Sequence, residues 1–228
     1  INVGESTHYI AGLSYENSSW LIDTELFYKD VKNITEFSLR FQNTNLNSLF
    51  FNGDGKVKGF ETLVQKKIDK YTGWISYTYI DAENIFPLLN YGNPFPAPNT
   101  QKNEFKVFNN YEINGWNFSL NFIYGSGKAF TEPSYNYSIT LLDDSELNYI
   151  GVGPKNGSLL PDYHRLDISV HHIFNIQKSK GDIGISVFNL YNKINTWYYE
   201  YNFDQRPYAR QTKKYLGFTP NVSFKLTF

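Results

Sequence analysis

Apolar side chains recur at every second position through stretch after stretch of this chain, and that period of two points to β-strands. At the end of the chain Phe218, Pro220, Val222, Phe224, Leu226 and Phe228 share one parity, and Thr219, Asn221, Ser223, Lys225 and Thr227 hold the other. Successive strand residues point to opposite faces, so this pattern makes one apolar and one polar face. The same alternation runs through Trp116, Phe118, Leu120, Phe122 and Tyr124, and through Leu166, Ile168 and Val170. It recurs at Tyr9, Ala11, Leu13 and Tyr15, and at Trp20, Ile22, Thr24, Leu26 and Tyr28. Weaker alternation covers 56–68, 73–82, 104–113 and 182–192, for about nine strands in all. Most are near the ~9–11 residues that a tilted strand needs to cross a bilayer. No stretch carries a helical period.

The connections between these strands alternate short and long. Residues 16–19, 69–72, 114–115 and 177–181 are short; 43–55, 83–103, 125–162 and 193–215 are long. A barrel in an outer membrane has short periplasmic turns and long external loops, whereas a soluble sandwich has no reason to place every long loop at one end. The short turns set the periplasmic side, so the last strand ends there and the first starts outside. Single-chain bacterial barrels have even strand numbers. An odd count, with the first strand entering from an external loop, leads us to expect further strands upstream. The chain has no Met, so Ile1 is expected to be a cut or processing site.

Composition narrows the function. Lys and Arg total 21 against 22 Asp and Glu, a net charge of -1, which gives no electrostatic reason to expect nucleic acid. There is no Cys, which removes thiol nucleophiles and zinc–cysteine sites. Aromatic residues make up 18% of the chain while its mean hydropathy is negative, and no run approaches the ~18 apolar residues of a membrane helix. Aromatic girdles with only alternate residues facing lipid account for that combination. No phosphate loop, nucleophile elbow or zinc helix is present, so the chain reads as a non-enzyme without a cofactor.

Several segments, in order, resemble the C-terminal strands of TonB-dependent outer-membrane receptors, particularly those of Bacteroidota. They are Gly59-Phe60-Glu61, Gly73-Trp74-Ile75-Ser76-Tyr77 and Tyr124-Gly125-Ser126-Gly127-Lys128-Ala129-Phe130-Thr131. Leu160-Pro161-Asp162-Tyr163-His164-Arg165-Leu166-Asp167, Val187-Phe188-Asn189-Leu190-Tyr191-Asn192 and Pro220 to Phe228 complete the series. Asn103-Glu104 depart from the pattern, standing where an Arg-His or similar pair is usual. The resemblance implies an all-β, antiparallel up-and-down transmembrane barrel of roughly 22 strands. Residues 1–228 would form its C-terminal segment. It implies energised uptake of a scarce ligand: a siderophore, haem, vitamin, peptide or oligosaccharide. The implied partners are outer-membrane lipid, the barrel-assembly machinery, the TonB complex through an N-terminal part, and a surface lipoprotein.

The candidate residues divide by position. Val222, Phe224, Leu226 and Phe228 look like the terminal signal read by the barrel-assembly machinery, which acts by strand-edge pairing; the plainer reading is an ordinary lipid-facing strand. Asp23, Glu25, Arg165, Asp167 and Lys225 fall on the polar parity and are expected to line the lumen. Trp197, Tyr198, Tyr199 and Tyr201 are either an interfacial belt or a platform for a ligand at the barrel mouth. Arg206 and Arg210 nearby suit an anion. Asp143 and Asp144 sit in the longest loop, without the spacing of a calcium loop. His171 and His172 are adjacent, so a strand puts them on opposite faces. A passive porin or adhesin would show the same strands and loops, and a soluble lectin-like sandwich the same periodicity; these remain open at this stage.

Overall fold

In the computed structural model the chain is described over residues 3–37, 50–177, 179–203 and 208–228. The strands are, in order, β1 (Glu5–Glu16), β2 (Trp20–Phe37), β3 (Phe50–Ile68), β4 (Tyr71–Ile85), β5 (Phe95–Pro96) and β6 (Asn103–Ile113). Next come β7 (Trp116–Gly125), β8 (Ala129–Phe130), β9 (Pro133–Thr140), β10 (Glu146–Val152) and β11 (Ser158–Leu159). The last are β12 (Tyr163–Ile176), β13 (Ser179–Phe188), β14 (Thr196–Asn202), β15 (Ala209–Lys214) and β16 (Thr219–Thr227). Nine of them form one meandering sheet in the order β1-β2-β3-β4-β6-β7-β12-β13-β16, with β5 added beside β4. Neighbours along it pair antiparallel. Among the described residues β1 and β16 each have one neighbour, so the sheet is open.

Register carries the alternation across the whole sheet. Leu26 lies opposite Phe60, Phe60 opposite Tyr79, and Val107 opposite Phe122. Phe122 in turn faces Leu166, while Ile185 faces Val222 and Ile183 faces Phe224. One face is therefore a continuous apolar band, and among the described residues nothing covers it: Leu13 is 83% exposed, Val222 70% and Phe224 65%. In water each such side chain would forgo about 1.5–3 kcal/mol of burial. A sandwich would have a second sheet on this face, and the described residues provide none.

The short turns follow from local chemistry. Asn114 and Gly115 both have positive φ (50° and 80°), which a two-residue hairpin turn requires. A side chain at Gly115 would also press on the Ile173 carbonyl. At the opposite end β2, β3 and β4 run on past the length a bilayer needs, to 18, 19 and 15 residues. Expected strands 20–29 and 56–68 are thus longer than their clear alternation. A bulge between Val31 and Ile34 re-aims this extension. There Phe51, Phe86 and Phe95 form a small buried core, with Phe86 and Phe95 stacked at 5.9 Å.

The long connections differ from the expected plain loops. Residues 125–162 contain the hairpin β9–β10 and the short pair β8–β11, and 193–215 contain the hairpin β14–β15. The strand expected over 182–192 stops at Phe188, because Asn189 and Asn192 take positive φ and turn the chain.

Candidate functional site

The site is built where β12 and β13 reach the long-loop end. Since β13 stops at Phe188, the outer end of β12 keeps β7 on one side but has no strand on the other, and two asparagines fill in there. The Asn195 side chain accepts from the His164 N–H at 3.1 Å and donates to its carbonyl at 2.9 Å. Asn189 is fully buried; its amide donates to the carbonyls of Lys193 and Leu216, and its oxygen accepts from the Lys193 N–H. The Asn189 backbone N–H donates to Asp167 Oδ1 at 2.9 Å, and Arg165 Nε donates to Asp167 Oδ2 at 2.9 Å. Arg165 Nη1 donates to the Tyr163 hydroxyl at 2.9 Å, and its guanidinium lies 3.9 Å from the Phe188 ring centre. Arg165 is thereby held flat and pointed along the polar face.

Directly beside it is a cavity of about 240 Å³. Its floor is the polar face of the sheet: Glu104, Ile123, Gly125, Tyr163 and Arg165. Loops supply its rim through Gln101, Lys128, Leu160, Pro161, Trp197 and Tyr215. Tyr215 meets Tyr163 edge-on at 5.5 Å and lies 5.8 Å from Trp197, giving one continuous aromatic wall.

Side chains tie the loops above the sheet to one another. Asn156, almost fully buried, exchanges hydrogen bonds with Thr131 and donates to the Pro96 carbonyl. Lys155 pairs with Glu36 on the β2 extension. Glu132 accepts from Arg210 at 3.2 Å, from the Tyr201 hydroxyl at 3.4 Å and from Ser158 at 3.1 Å. Burial, with the Glu132 carboxylate, pushes the Tyr201 phenol above its usual range.

A family model described as TonB dependent receptor-like, beta-barrel, matches residues 5–192, most of the chain. The chain belongs to the TonB-dependent receptor-like β-barrel family. This is a family of outer-membrane transport proteins, not of enzymes, and it puts the chain in the outer membrane. Solved structures of the same fold include the ferric citrate transporter FecA, at 17% identity and a TM-score of 0.63, over 97% of this chain and 31% of that one. The ferripyoverdine receptor of the outer membrane of Pseudomonas aeruginosa superposes with a TM-score of 0.63 at 13% identity, over 98% of this chain and 27% of that one. For the copper transporter OprC the values are 0.63 and 14%, over 98% and 32%. The chain thus spans between a quarter and a third of the length of these chains. A search of curated proteins found no match.

Within this receptor barrel the residues singled out from the sequence separate. Asp23, Glu25, Arg165, Asp167 and Lys225 share the polar face through the strand register, Asp23 facing Leu63, Leu63 facing Ser76, and so on to Lys225 opposite Asp182. Val222, Phe224 and Leu226 lie on the apolar face of β16, and Phe228 follows it at 95% exposure. Trp197 reaches the cavity, but Tyr198 does not line it. Tyr199 and Tyr201 belong instead to the Arg210–Glu132 group, with Arg210 4.4 Å above the Tyr199 ring. Asp143 and Asp144 occupy the tip of the β9–β10 hairpin, where Asp143 accepts from both the N–H and the hydroxyl of Ser145. Arg206 lies outside the described residues. His171 approaches Asp182 at 3.3 Å while His172 stacks on Trp116 at 4.3 Å, on the other face. The sequence reading passed over Tyr163, Tyr215, Lys128 and Glu104 as site residues. Lys128 and Tyr163 stand inside the motifs quoted above, and Glu104 is the departure from the family pattern; what hid them was their separation along the chain.

Proposed function

We propose that the chain is the C-terminal part of a TonB-energised receptor that takes a scarce ligand across the outer membrane. The observation that carries this reading is the cavity at the mouth, floored by the polar sheet face and rimmed by interlocked loops. The open sheet, with a free edge on β1 and on β16, favours completion by further strands into a barrel of roughly 22. The order of the sequence motifs supports a Bacteroidota-type receptor. In this reading Asp23, Glu25, Arg165, Asp167 and Lys225 line the lumen. Trp197 contacts ligand directly; Tyr198, Tyr199, Tyr201, Arg210, Asp143 and Asp144, together with Arg206, belong to the surrounding external surface. Val222, Phe224, Leu226 and Phe228 present the terminal strand to the barrel-assembly machinery. The remaining partners are lipid, the TonB complex and a surface lipoprotein.

The printed ligands of the similar structures, ferric citrate, ferripyoverdine and copper, set the first panel to test. The parent receptor should be expressed in cells with and without TonB, and uptake of each labelled compound followed. Accumulation that needs both the receptor and TonB is the expected result. Receptor-dependent entry that is indifferent to TonB would make this a passive porin and end the proposal.

A further inference from the structure

Resting on the receptor reading, we infer that the mouth cavity takes a carboxylate carried on a flat ring, with Lys128 as its charge partner. The charges around the cavity are nearly all accounted for within the protein. Glu104 is paired with Lys106 at 2.6 Å. Arg165 is paired with Asp167 at 2.9 Å. The Gln101 amide nitrogen donates to the Ser126 carbonyl at 2.8 Å. That leaves Lys128, on the cavity rim, whose ammonium meets no carboxylate among the described residues.

The Lys128 backbone is fixed, which keeps the root of its side chain at the rim. Its carbonyl accepts from the Leu160 N–H at 2.9 Å, and the next residue, Ala129, donates to the Thr100 carbonyl at 3.3 Å. One surplus positive charge matches a monoanion. A phosphate monoester, at about −1.5 to −2, would exceed it and stand near Glu104. The aromatic wall of Trp197, Tyr215 and Tyr163 supplies the surface for a ring, since such faces favour offset or edge contacts with another ring. At about 240 Å³ the cavity is smaller than the roughly 300–1,000 Å³ of a pocket that holds a whole drug-sized ligand. It therefore fits one substituted ring of a ligand whose remainder lies outside.

The test uses the intact parent receptor in detergent, with benzoate, benzamide and phenyl phosphate as probes and tryptophan fluorescence as the readout. Benzoate and benzamide share shape and differ in charge. Benzoate is expected to bind about tenfold more tightly than benzamide, a ratio typical of one charge-assisted contact. Lys128→Met should remove that preference while the barrel keeps its folded mobility on unheated gels, and Trp197→Phe should remove most of the signal. Equal binding of benzoate and benzamide, no response from either, tighter binding of phenyl phosphate, or a preference that survives Lys128→Met overturns the assignment. TonB-dependent uptake persisting beside any of those outcomes would leave the receptor reading standing. Its loss beside an intact benzoate preference would do the reverse.

Discussion

At the scale of single residues, side chains substitute for missing backbone. Asn195 does for His164 what a neighbouring strand does for the residues below it, and Asn189 gathers three backbone groups around one buried side chain. Asp143 shows the same economy at an exposed tip. Two hydrogen bonds from Ser145 hold its carboxyl below the usual aspartate range, the hydroxyl being the larger cause. A depressed carboxyl adds stability that is present above its unfolded value and is lost as pH falls through the folded one. The hairpin tip should therefore loosen only in acid, below the ordinary aspartate midpoint of about 3.9. Carboxyl NMR on the receptor would read that midpoint, and Ser145→Ala should move it back upward; an Asp143 midpoint unmoved by the substitution would show the brace to be absent. Asp167 was legible as a polar-face residue from parity alone, yet its tie to Asn189 spans 22 positions, and no local pattern announces such a contact.

At the scale of elements, the nine strands of the sheet were legible because each repeats one binary choice many times, lipid or not. The hairpins in the loops were passed over although β9 alternates too, with Tyr135, Tyr137 and Ile139 against Ser134 and Ser138. An unbroken run of aromatics from Trp197 to Tyr199 obscured β14, since it has no period to read. The outer extension of β3 was invisible because Gly53 and Gly55 interrupt its apolar pattern. Gly53 is there for room: a β-carbon would strike the Ile85 carbonyl and the Phe86 ring. Gly53→Ala should cost about 1–3 kcal/mol locally, the usual size of an overpacking defect. Hydrogen exchange in the intact receptor is expected to quicken around Phe86 and Phe95 while β12 and β13 keep their protection. Unchanged exchange at Phe86 would mean that the core tolerates the extra carbon.

At the scale of the whole molecule, the apolar band and the two strand edges left free among the described residues make the same demand, since such surfaces are costly in water. Expressed alone in aqueous buffer, the 228-residue chain should aggregate, and detergent should reduce that. A soluble monomer with protected strand amides, seen by sedimentation and hydrogen exchange, would contradict the barrel assignment. The ties among the loops bear on a different property. Because Asn156, Glu132 and Lys155 join connections that are far apart in sequence, the entrance is already set in shape before anything arrives. A visiting molecule then need not freeze three separate segments, so it loses less affinity to ordering. The same rigidity makes recognition a shared property of distant positions. Changes at Pro96 or Glu36, which do not line the cavity, can reshape the doorway, giving a lineage a route to new cargo without altering a single lining residue.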